Sequence, residues 1–196
     1  MDRTELDRKM RQVRSRATTF TARSDAEGPV IEGYFAVFNS DYEIWPGACE
    51  QVAPEAFNNC LGGDIRALCD HLTHLVLGRT SAGTLTLRVD EHGLWGSIRI
   101  NEHDSDAMNL YARVQRGDVS QCSFGFDILD EEYIENPDGS CLWIIREVLL
   151  YEVSVVTFPA YSETSVQARQ RDRETIRRRS MERRKNALKE RIKTWH

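Results

Sequence analysis

The sequence has no long apolar run. Its most hydrophobic stretches are broken by a charge within about ten residues, well short of the ~20 that a membrane-spanning helix needs. The opening MDRTELDRKMRQVRSR also lacks the apolar stretch and small-residue cleavage site of a secretory signal. Cysteines are few and odd in number: Cys49, Cys60, Cys69, Cys122 and Cys141. Their irregular spacing reads as free thiols of a reducing cytosol, not as a disulfide framework. No internal repeat occurs, and no low-complexity segment lies outside an Arg-rich C-terminus. No G-x-S-x-G elbow is present, so the α/β hydrolases are not supported.

What remains is an ordinary globular composition in 196 residues, 40% hydrophobic, which suits one domain with tails. The net charge of -5 conceals a segregation: residues 1–24 carry +4, residues 166–196 carry +8, and the stretch between them carries -17. The expected organisation is a basic N-terminal arm over 1–24, a domain over 25–165 and a basic, helix-prone tail over 166–196. Such tails suit an acidic protein surface or nucleic acid, or else lie solvated against the acidic body. For the acidic body itself nucleic acid is not expected.

Hydrophobic periodicity predicts a mainly β, α+β chain. Val30–Phe38 alternates and is rich in β-branched and aromatic residues, as a strand requires. Cys49–Ala53 is a weaker strand, followed by a short helix opened by Pro54 and ended at Gly62–Gly63. Ile65–His71 and Leu75–Arg79 are short extended pieces. Thr84–Val89 and Leu94–Ile100 form a hairpin across the turn chemistry of Asp90–Gly93. Ala107, Leu110, Tyr111 and Val114 fall at helical spacing, with Asp104 or Ser105 as cap and Gly117 as stop. Val119–Leu129, Cys141–Val148 and Leu150–Phe158 close a set of seven or eight strands. A small mixed β-barrel or sandwich with flanking helices accommodates them. In the tail, Arg173–Lys193 is helix-prone, but Ile176, Met181, Leu188 and Ile192 form only a thin apolar stripe.

Three stretches hold residue types suited to chemistry. In Leu68–Leu75 (LCDHLTHL), His71 closes a strand and precedes a break, where a scaffold presents functional side chains. His92 sits in a turn and His103 before the helix, both suited to plain structural roles. Cys69, His71 and His74 resemble a partial zinc set, but no second Cys/His pair follows, so no metal is expected. In Gly117–Phe126 (GDVSQCSFGF), Ser120 and Ser123 precede Gly125; a serine becomes a nucleophile beside a base, and a glycine lets backbone approach an oxyanion. In Leu149–Tyr161 (LLYEVSVVTFPAY), Glu152 interrupts an apolar strand. Burying it costs several kcal/mol without a partner, so it either faces outward or pairs, for instance with Arg79.

The succession of Cys69–His71, Leu77–Arg79, the SFGF segment and EVSVVTFPAY resembles the prohead serine proteases of tailed phages. EGYFAVF (Glu32–Phe38) and PEAF (Pro54–Phe57) resemble that family's N-terminal part, so the likeness spans about residues 30–165. It implies a fold similar to the herpesvirus assemblins, a small β-barrel ringed by helices, and a serine endopeptidase that matures capsids. On this likeness His71 is the base and Ser123 the nucleophile, with Ser120 as the alternative. Glu152 is the candidate orienter, with Asp70 as the alternative, and Gly125 or a loop near Arg79 would supply the oxyanion hole. The resemblance implies major capsid protein and scaffolding protein as substrates, with self-cleavage also expected. It places the reaction inside the assembling prohead in the bacterial cytoplasm, with no cofactor and no membrane, and admits a homodimer. The alternative is a non-catalytic β-barrel that binds capsid or scaffold; a zinc-dependent hydrolase is a weaker third.

Overall fold

The computed structural model describes residues 12–17, 20–158 and 163–193. The chain divides into two compact units at Tyr161/Ser162. The first unit is built of two sheets. One is antiparallel throughout, in the order β2 (Thr21–Asp25), β3 (Gly28–Val37), β9 (Gly93–Arg99) and β8 (Leu85–Val89). The other follows the path β1 (Gln12–Ala17), β10 (Gln121–Glu135), β11 (Cys141–Val156), β5 (Ala48–Val52) and β4 (Tyr42–Trp45). Onto β11 it also takes β6 (Arg66–Cys69), which carries β7 (Leu72–Arg79). Among the described residues these pairings form two sheets and no closed ring, so the architecture is mainly β with helices.

β11 is the spine of the second sheet. β10 runs antiparallel along one side of it, while β5 pairs parallel with Cys141–Ile145 and β6 with Glu152–Val155 on the other. The core lies on the faces of β3, β9, β10 and β11 that carry Ile31, Phe35, Leu94, Ile98, Phe124, Phe126, Val153 and Val155. Phe57, from the 3-10 turn Pro54–Phe57, joins it through an edge-on contact with Phe124. The hairpin of β8 and β9 and the helix α1 (Ser105–Arg116) form where the periodicity places them. Asp104 caps α1 by accepting from the Asp106 and Ala107 amides, a contribution of about 1 kcal/mol. Gly117, at φ 87°, ends it in the left-handed conformation that glycine adopts without strain.

Two expectations change. Within the basic segment 1–24, the described stretches are paired: β1 pairs through all six residues with β10, and β2 pairs with β3. The basic composition there suggests solvation, but Arg14 is buried and ion-paired with Glu50, the second guanidinium nitrogen lying 2.8 Å from the carboxylate. The expected interruptions after Leu129 and at Leu149 are absent. β10 and β11 continue as a ribbon to the turn at Asn136–Gly139, with only local bulges. Tyr133 against Trp143 and Arg146 against Glu132 hold its acidic outer half across the strands.

The second unit is one helix, α2 (Glu163–Lys193), beginning ten residues before the predicted start. No proline or glycine follows Pro159, so nothing in the sequence interrupts it. Met181 and Leu188, two of the four residues of the predicted apolar stripe, are exposed. No described helix is long and apolar enough to cross a membrane.

Candidate active site

The β6–β7 hairpin places the histidine. Cys69 pairs with Leu72, so Asp70 and His71 are its two turn residues, at φ 48° and φ 59°. Two consecutive left-handed residues make the turn type that matches strand twist, and aspartate and histidine are among the few non-glycine residues that adopt it. Asp70 fastens the turn: its carboxylate accepts from the Thr157 amide at 2.7 Å and faces the Thr157 hydroxyl at 3.1 Å. The turn thereby holds His71 against Glu152 on the face of β11 turned away from the hydrophobic core.

That face is polar for a simple reason. Cys122, Phe124 and Phe126 of β10, with Val153 and Val155 of β11, point into the core. The alternate positions Ser123 and Gly125, opposite Ser154 and Glu152 respectively, point the other way. His71 Nδ1 lies 2.7 Å from Glu152 Oε1, and Ser154 Oγ donates to Glu152 Oε2 at 2.5 Å. The side chains of His71 and Glu152 are 24% and 14% exposed, so the pair is largely shielded from water. An ionised carboxylate only accepts, which puts the imidazole proton on Nδ1 and leaves Nε2 as a lone-pair acceptor. Nε2 is buried and has no hydrogen-bond partner among the described residues. Ser123 is fully buried, and its hydroxyl donates to the Arg14 carbonyl at 2.9 Å.

The other expected site residues lie differently. Ser120 is exposed and precedes the first residue of β10. Asp70 directs its carboxylate to Thr157, while the partner of Nδ1 is Glu152. Arg79 does not pair with Glu152: its guanidinium meets Asp64 at 2.7 and 2.5 Å and holds that carboxyl well below the usual carboxylate range. Gly125 is paired on both sides, with Val13 and with Glu152, so its amide lies in the plane of the sheet and not off the face. The Cys69 thiol is pushed up to about 11 by burial and by the Asp70 charge. His74 is exposed, and among the described residues no three His, Cys, Asp or Glu side chains are grouped to hold a metal ion. Ser154 was not singled out by sequence reasoning. Its signal is the two-residue strand period, which puts it on the face of Glu152.

Comparison with known proteins gives a consistent picture. The family described as caudovirus prohead serine protease matches residues 15–179. The prohead protease of Enterobacteria phage HK97 is 31% identical over 147 residues, covering 74% of this chain and 61% of that protein. The prohead protease of Escherichia phage T5 is 33% identical over 81 residues, covering 41% of this chain and 36% of that protein. The chain thus spans about three-fifths and about a third of the lengths of these two relatives. No solved structure matches it significantly.

Proposed function

The chain belongs to the caudovirus prohead serine protease family, and from that membership we propose that it is a serine endopeptidase acting on capsid proteins inside an assembling prohead. The observation that carries the catalytic assignment is the 2.7 Å contact between His71 Nδ1 and Glu152, on the sheet face that also bears Ser123. In this reading Ser123 turns its hydroxyl from the Arg14 carbonyl toward His71 Nε2, the unsatisfied acceptor. As Oγ attacks the scissile carbonyl, Nε2 takes its proton, and Glu152 stabilises the imidazolium from the other side. His71 then protonates the leaving amine, and water completes hydrolysis of the acyl-enzyme by the same proton path. Because Ser123 has no exposed surface, a substrate carbonyl reaches it only once the structure opens over it.

Major capsid protein and scaffolding protein are the proposed substrates, with self-cleavage as a further outcome and the host cytoplasm as the setting. The two sheets are proposed to correspond to a barrel of the assemblin type, within a catalytic domain over about 25–165 that recruits β1 as its edge strand. The test is co-expression with the major capsid protein of the same phage. A shortened capsid protein is expected with the wild-type chain, and full-length capsid protein that merely co-purifies would favour a docking role instead.

The basic segment 166–196 is proposed to draw the protease into the prohead through an acidic surface. Deleting residues 170–196 is expected to leave protease activity within a few-fold of normal and to reduce incorporation. The difference from the full-length chain is expected to shrink as salt is raised, because exposed charges are screened over about 8–10 Å at physiological ionic strength. Lost cleavage with unchanged incorporation would assign the segment to the catalytic fold.

A further inference from the structure

Two residues on the sheet face have no part in the reaction just described: Ser154, which is fully buried, and Gly125, inside a paired strand. We propose that both are positioning residues for Glu152, an inference that rests on the reading of Glu152 as the orienter of His71. A glutamate side chain has three rotatable bonds, and one contact at Nδ1 leaves its carboxylate free to pivot. Ser154 stops that pivot. Its hydroxyl holds Oε2 at 2.5 Å while Oε1 faces the imidazole at 2.7 Å, so both oxygens are fixed by opposite partners.

Gly125 supplies the room. A Cβ at this position would stand 2.4 Å from Glu152 Oε1, 3.1 Å from its Cδ and 3.2 Å from its Cγ. The atom it would strike first is the one that meets the imidazole. The backbone here is ordinary extended strand and not left-handed, so no positive φ calls for glycine. Glycine in a strand interior costs stability and gives no side chain to pack. Space for the carboxylate is therefore the reason for glycine, and this differs from the oxyanion role expected of it.

The experiment measures labelling by a fluorophosphonate probe, in which Ser123 Oγ bonds to phosphorus, fluoride leaves and the serine proton passes to His71 Nε2. Ser154→Ala and Gly125→Ala are each compared in the native background and in Glu152→Ala, with melting curves as a check on folding. Ser154→Ala is expected to slow maximal labelling about tenfold without changing the half-saturating probe concentration. For Gly125→Ala the loss is expected to be about a hundredfold, as displacement of the orienting group by an ångström implies. In Glu152→Ala, which has no carboxylate to hold or displace, each is expected to change the rate less than about twofold. The opening over Ser123 enters all four rates of a cycle and cancels in their ratio. Equal losses in both backgrounds would overturn the proposal. So would normal labelling of Ser154→Ala beside a slow Glu152→Ala, and this measurement decides the matter if Gly125→Ala fails to fold. Normal labelling of Glu152→Ala itself would overturn the triad reading and the inference together.

Discussion

Ser123→Ala is expected to abolish fluorophosphonate labelling and capsid protein cleavage, lowering the rate by at least about a thousandfold, while Ser120→Ala keeps a rate within a few-fold of normal. The two serines are three residues apart in the chain but occupy different surroundings. Ser123 lies in the β10–β11 ladder directly opposite Ser154, one ladder step of the same face from the Gly125–Glu152 pair. Ser120 stands outside the ladder on the exposed approach to β10. A nucleophile must come within about 2.6–3.2 Å of its base, and a strand holds a side chain to that tolerance better than a loop. The Ser123 substitution removes one oxygen from a fully buried site whose hydroxyl now satisfies the Arg14 carbonyl, so a modest loss of stability accompanies it. Melting curves separate that loss from the catalytic one. Should Ser120→Ala be the dead variant and Ser123→Ala label normally, the nucleophile is Ser120.

How much of this was legible follows from where each signal resides. The strand period exposes Phe124 and Phe126 as core and Ser123 as its opposite, and the helix period finds α1 with its cap and stop almost to the residue. Local patterns of this kind survive folding because one element buries one face. The N-terminal strands are hard to see in the sequence because their basic residues look solvated. Arg14 looks like part of a basic arm until Glu50, 36 residues away, is placed beside it. Pairings at that separation leave no mark in a local window. The orienter shows the same limit: Asp70 is adjacent to His71 in sequence, whereas Glu152 is 81 residues away and lies next to it in space. A two-residue turn sends neighbouring side chains in different directions, so adjacency in the chain is a poor guide here.

That contrast gives the second large effect. Glu152→Gln is expected to lower the maximal labelling rate by about a thousandfold or more with the fold intact, and Asp70→Asn by no more than a few-fold. Glutamine matches glutamate in shape, but its amide can offer an N–H to Nδ1. The imidazole proton is then stabilised on Nε2, and a ring in that tautomer has no lone pair facing the serine. The isosteric change also removes the charge that would stabilise the imidazolium as Ser123 gives up its proton. Asparagine at position 70 keeps what the turn uses. It tolerates the left-handed backbone observed at φ 48°, and its carbonyl oxygen can still accept from the Thr157 amide. The hydroxyl contact at 3.1 Å is the part most weakened, and the expected consequence is a slightly less stable hairpin with His71 still seated on Glu152. Parallel labelling kinetics and melting curves on the two variants decide between the carboxylates. A dead Asp70→Asn of normal stability beside an active Glu152→Gln would move the orienting role to Asp70, and Glu152 would then be a partly buried acid held by Ser154.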